Sequence, residues 1–152
     1  MMKKLYLDQA FPAVYRSLNG TTEELSKVYE TAGLDRSLIE LVLIRASQLN
    51  RCPTCLSVHV PKGIAAGLSQ RKIDLLPSWR EADGVYSDEE LAALELAETI
   101  TLLPAHQRNS AAMDVAKKVF SDEQVAALAW AVILIGAYNR LSIFSQHPPA
   151  KY

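Results

Sequence analysis

Apolar residues recur at three- and four-residue steps through most of the chain, and nowhere is a strict apolar/polar alternation sustained. That is the pattern of amphipathic helices rather than strands, so the spacing predicts an all-α fold. Asp35 and Ser37 stand before the apolar run Leu38, Leu41, Val42, Ile44 and Leu49, which reads as one helix ending near Asn50. Pro53 lacks only an amide that the first turn of a helix leaves unpaired anyway. A second helix is therefore read over about 53–66, with Gly67 available for a left-handed cap. Ser69 opens a short helix before Pro77. Ser87 with Glu90, and Ser121 with Gln124, have the spacing of capping boxes and open two further helices. The first of these carries Leu91, Leu94, Ala97 and Ile100 and is broken at Pro104, a weaker helix covers about 110–119, and the last runs to about Phe144. The middle of that last helix, 126–137, is apolar nearly all round, which places it at the centre of the domain or inside an oligomer. Residues 79–84 read as the most open connection.

Length and composition narrow this further. At 152 residues and 49% hydrophobic content the chain can bury a core without disulfide or metal staples. No repeat or linker divides it, so 1–152 is read as a single domain. Sixteen basic against seventeen acidic residues give a formal charge of -1, which offers no field for nucleic acid or an anionic membrane. A small uncharged substrate or a protein partner fits better. No signal-peptide pattern is visible near the start, and no stretch reaches the ~20 apolar residues of a membrane span. A cytoplasmic protein is expected, and in that compartment a close cysteine pair is more often catalytic or metal-binding than structural.

The chain has two cysteines, both in Cys52-Pro53-Thr54-Cys55, and His59 follows four residues after the second. On a helix that spacing puts Cys55 and His59 on one face, a turn apart. Cys52 falls at the N-cap and Cys55 in the first turn, where unpaired amides and the helix dipole favour a thiolate. An imidazole can accept a thiol proton, and a thiolate oxidised to sulfenic acid can be resolved by a thiol three residues away, so the residues suit a two-electron redox cycle. Two plainer readings stand beside it. One is a zinc site with Cys52, Cys55, His59 and Glu40 as ligands, although closed sites usually draw on two separate knuckles. The other is a pair of buried, inert thiols.

Elsewhere the signals are weaker. Glu40, set among Leu38, Ile39, Leu41 and Val42, reads by itself as a surface carboxylate. His106 and His147 lie near prolines and are expected to be solvent-exposed, Asn139 and Arg140 to cap the last helix or form an interface salt bridge, and Trp79 and Trp130 to pack.

Glu40, eleven intervening residues, Cys52, two more, Cys55, three more and His59 together form a spacing. It resembles the Glu-x11-Cys-x2-Cys-x3-His pattern of AhpD-like alkylhydroperoxidases, within the carboxymuconolactone decarboxylase superfamily. Ser47-Gln48-Leu49-Asn50, Gly67, Trp79-Arg80-Glu81-Ala82, Leu91-Ala92-Ala93-Leu94 and Tyr138-Asn139-Arg140-Leu141 extend the likeness over about 11–143. The resemblance implies an all-helical domain that assembles into a homo-oligomer and needs no cofactor or bound metal. It implies that Cys55 attacks an organic hydroperoxide and Cys52 resolves it, with Glu40 and His59 in a water-linked proton relay, and it reverses the surface reading of Glu40. Reduction would come from a dithiol or a lipoylated protein, and some members act mainly on a peroxiredoxin. The best-studied members carry a histidine directly before the second cysteine, where this chain has Thr54. Members acting as lactone decarboxylases generally lack the cysteine pair. The expected activity is thus a thiol peroxidase or disulfide reductase in antioxidant defence. The alternatives are a thiol-disulfide adaptor for a peroxiredoxin, or a zinc-binding or redox-sensing oligomeric module.

Overall fold

The computed structural model describes residues 4–104 and 110–151. Among them the chain is all-α, in eight α-helices and one 3-10 helix with no strand. The helices are α1 (Leu7–Ala10), α2 (Pro12–Thr31), α3 (Arg36–Leu49), α4 (Pro53–Ala65), α5 (Gln70–Leu75), α6 (Asp88–Leu102), α7 (Ser110–Ala116) and α8 (Asp122–Ser145), with the 3-10 helix at Leu76–Glu81. The expected punctuation holds. Asp35 caps α3 by accepting from the Ser37 amide, Ser69 caps α5, and both capping boxes close with side chain and backbone bonded reciprocally. Gly67 takes the left-handed conformation after α4. His106 lies outside the described residues.

The organising element is α3. It packs against α4, α6 and α8, and one stretch of it is buried from Leu38 to Ile44 without interruption. Its two sides feed different cores. Ile39, Val42, Leu43 and Ala46 join the main core with α6 and α8, whereas Leu41 and Ile44 join a second one with Leu68, Leu76, Trp79 and Leu94. A helix buried on both sides has no polar face to spare.

Residues 79–81 belong to the 3-10 helix, which leaves 82–87 as the connection to α6. Trp79 is buried, and its indole N–H donates to Glu98 Oε1 at 2.8 Å. Glu98 also takes Arg45 of α3 at 2.6 Å and Arg80 at 2.9 Å, so one mostly buried carboxylate ties the 3-10 helix to α3 and α6. Burial pushes that carboxyl up, but Trp79, Arg45 and Arg80 outweigh it and hold it below the usual range.

The last helix departs from expectation in two ways. With Arg140 its only charge after Glu123, α8 is long and apolar enough, by length and composition, to cross a membrane. Here it packs against α2, α3, α4 and α6. It is also not enclosed. Ala126, Trp130, Ile133, Ala137 and Phe144 form an outward stripe, with Trp130 53% and Phe144 70% exposed. Trp130 therefore does not pack within the chain, because the core-facing positions of α8 belong to smaller aliphatic side chains. Asn139 neither caps the helix nor meets a charge: it is fully buried and holds α8 to α3, accepting from Asn50 at 2.9 Å and donating to Ser47 at 3.1 Å. Arg140 bonds the Gly136 carbonyl of its own helix.

Removing one partner of a buried charge cluster costs several times what an exposed ion pair does. Glu98→Ala is expected to lower the unfolding free energy by ~3 kcal/mol, measured by urea denaturation; an effect under ~1 kcal/mol would mean that the cluster is only surface decoration.

Candidate active site

The turn from α3 into α4 sets the cysteines in place. Arg51 adopts a left-handed conformation (φ 56°), at a cost of roughly 1 kcal/mol for a residue with a Cβ. The Cys52 amide then bonds back to the Ser47 carbonyl at 3.0 Å. Cys52 is the N-cap of α4, its sulfur accepting the Cys55 amide at 3.3 Å, and Pro53 occupies the first turn as the sequence predicts. The two cysteines are joined as a disulfide, with Cα atoms 5.4 Å apart. Cys52 is fully enclosed, while Cys55 is nearly so and faces a cavity.

Glu40 is not on the surface. It is completely buried one helix away from the cysteines, with Oε2 2.7 Å from His59 Nδ1 and Oε1 2.6 Å from the Arg36 guanidinium. Burial by itself pushes the Glu40 carboxyl up, but His59 and Arg36 together outweigh it and hold the group below its usual range. An ionised carboxylate at Nδ1 makes that nitrogen the N–H donor, so the ring accepts or releases a proton at Nε2. The α4 and α3 helices come close together at Gly63. A Cβ there would fall 2.9 Å from Leu68 Cδ1, 3.0 Å from Ile44 Cδ1 and 3.6 Å from Glu40 Cβ.

Cys55 and His59 share one face of α4 and line a cavity of about 380 Å³ between α2, α3, α4 and α8, within the size range of small-ligand sites. Its walls are largely apolar, with Leu43, Val58, Leu134 and Ile135, and three tyrosines, Tyr15, Tyr29 and Tyr138, stand among them. Burial pushes the Tyr29 hydroxyl up to about 12, so it is uncharged at neutral pH. Tyr138 hydrogen-bonds Thr22 and Asn19 across to α2. Arg36, which the sequence pattern did not single out, precedes Glu40 by one helical turn, a spacing at which ion pairs form. Tyr15 and Tyr29 of α2 were not predicted as site residues either, since nothing local ties them to the distant cysteines.

Thr54, between the cysteines, donates to the His147 carbonyl at 2.7 Å, and Ser57 accepts the Ala150 amide at 2.8 Å, so the C-terminal segment lies across α4. His147 is not free in solvent. It is half-buried, with Nε2 3.0 Å from Asp8 and its ring 4.9 Å from that of Tyr6, because the two ends of the chain pack together. Among the described residues no cluster of three or more His, Cys, Asp or Glu side chains is arranged to hold a metal ion. Cys52 pairs with Cys55, and Glu40 with His59, so the four groups do not converge on one point.

The helical arrangement and the buried cysteine pair beside a carboxylate and an imidazole define an AhpD-like protein. Residues 12–99 match the model of the carboxymuconolactone decarboxylase family, and the chain belongs to that family. The uncharacterised protein YdfG of Bacillus subtilis (strain 168) is 33% identical over 120 residues, covering 79% of this chain and 81% of that one. A crystal structure from Agrobacterium tumefaciens superposes with a TM-score of 0.85 at 25% identity, over 99% of this chain and all of the other. That protein is of unknown function, and its name suggests AhpD-type antioxidant defence. The debrominase Bmp8, in its apo form, shares the fold with a TM-score of 0.67 at 16% identity, over 88% of this chain and 74% of its own.

A carboxyl held below its ordinary value of 4.5 lends stability that is complete above that pH and lost as the pH falls through the folded value. Glu40→Gln is expected to be less stable than wild type by ~2 kcal/mol at pH 7. The gap in urea midpoints should narrow as the pH falls below 4.5 and through the lowered folded value, and a gap independent of pH would show that the lost stability is packing rather than charge.

Proposed function

We propose that the chain is a cytoplasmic thiol-dependent peroxidase that reduces organic hydroperoxides through Cys55 and Cys52. The observation that carries this reading is the asymmetry of the pair: Cys55 faces the cavity beside His59, and Cys52 is enclosed behind it as the helix cap. Family membership and the antioxidant description of the Agrobacterium neighbour support the same chemistry.

In the reduced protein Cys55 sits at the third position of α4, where helix amides stabilise a thiolate. His59, oriented by Glu40, takes the thiol proton at Nε2, directly or through one water. The thiolate attacks the distal peroxide oxygen, the O–O bond breaks, and the leaving alkoxide takes the proton back from the imidazolium. The products are an alcohol and Cys55 sulfenic acid. The Cys52 thiolate then attacks that sulfur, hydroxide leaves and is protonated to water, and the disulfide forms. An external dithiol, free or carried as a lipoyl group, is oxidised in returning the pair to two thiols.

Single-turnover reaction of the reduced protein with cumene hydroperoxide tests this by counting free thiols. Wild type is expected to lose both, Cys52→Ser to accumulate a trappable sulfenate, and Cys55→Ser to leave its remaining thiol intact. His59→Ala should slow the first step by ~100-fold. Wild type that keeps both thiols under excess peroxide would overturn the peroxidase reading. Exchange with an oxidised partner peroxidase would then become the activity to measure.

A further inference from the structure

The cavity beside Cys55 has a polarity along its length. On α4, Cys55, Val58, His59 and Lys62 share one face and all line it. Lys62 lies seven positions after Cys55, which puts their Cα atoms roughly 10 Å apart along the helix axis. Leu43 of α3 and Leu134 and Ile135 of α8 add aliphatic surface to the lining. Two cations line the cavity, and no aspartate or glutamate is among its lining residues. Arg36 is committed to Glu40 at 2.6 Å, whereas Lys62, exposed at the end of α4, has no carboxylate partner among the described residues. A largely apolar cavity with a reactive sulfur, and an uncommitted lysine two helical turns along the same helix face, is complementary to an amphiphile with an anionic end.

We propose that the site selects hydroperoxides that carry a carboxylate, the hydroperoxides of fatty acids, with Lys62 contacting the head group while Cys55 meets the peroxide. This rests on the peroxidase reading above and adds to it a substrate class and a residue that discriminates within it. The chemistry is the thiolate attack already balanced above, with the hydroxy acid as the alcohol released. A lysine in the last turn also answers the dipole of its own helix. That structural role would affect acid and ester substrates alike, so the ratio of the two rates isolates the head-group contact.

The experiment compares 9-hydroperoxyoctadecadienoic acid, its methyl ester and cumene hydroperoxide as oxidants of the reduced protein, in wild type, Lys62→Arg, Lys62→Gln and Lys62→Glu. Wild type is expected to react with the acid about fivefold faster than with the ester, the scale of one partly exposed ion pair. Lys62→Arg should keep that ratio, Lys62→Gln bring it to about one and Lys62→Glu invert it, and added salt should shrink it in wild type. Equal rates for acid and ester in wild type, with cumene hydroperoxide consumed, would overturn the head-group contact and leave the peroxidase standing. If wild type consumes no peroxide at all, calorimetry with the unreactive 9-hydroxy acid and its ester decides the point independently. Preferential binding of the acid, lost in Lys62→Gln, upholds the contact, and equal or absent binding overturns it.

Discussion

A carboxylate withdrawn completely from water has to find its charge compensation inside the protein, and much of this structure can be read as the solution to that requirement at Glu40. One partner, Arg36, comes from the preceding turn of the same helix and reaches it from the solvent side. The other, His59, comes from α4, which runs close beside the Glu40 turn of α3 at Gly63. An unpartnered charge at this depth would cost several kcal/mol. The imidazole orientation that the proposed chemistry needs is thus imposed by the folding energetics of the α3 and α4 pair.

The same helix carries a second polar commitment farther along. Arg45 of α3 meets Glu98 of α6, and Glu98 gathers in Trp79 and Arg80 from the 3-10 helix. Asn139 completes the set by joining α8 to Ser47 and Asn50. Each face of α3 is therefore apolar in bulk and pinned at one or two points by a directional contact. Burial drives the assembly, and these contacts fix how the helices are turned about their axes.

What could be read from the chain alone was whatever is encoded locally. Both capping boxes, the Asp35 and Ser69 caps, Pro53 and the left-handed Gly67 mark helix ends through contacts within a few residues, and those ends lie where expected. The α2 helix does carry a pattern, with Tyr15, Leu18, Leu25 and Tyr29 on one face at helical steps, but no capping side chain marks where it begins. Glu40 was misleading by itself, since a helix buried on both sides carries no pattern that separates an inward carboxylate from an outward one. The spacing to the cysteines supplied what local physics did not. The Thr54, Ser57 and His147 contacts join residues about ninety positions or more apart, and no local rule reaches that far.

The sulfur of Cys52 has a backbone duty that is separable from its redox duty. As the N-cap of α4 it accepts the Cys55 amide, and a serine hydroxyl fills such a position at least as well. A single base change from a cysteine to a serine codon would thus stop the proposed cycle at the sulfenate while sparing the architecture. The scaffold can therefore surrender that thiol without passing through an unfolded ancestor.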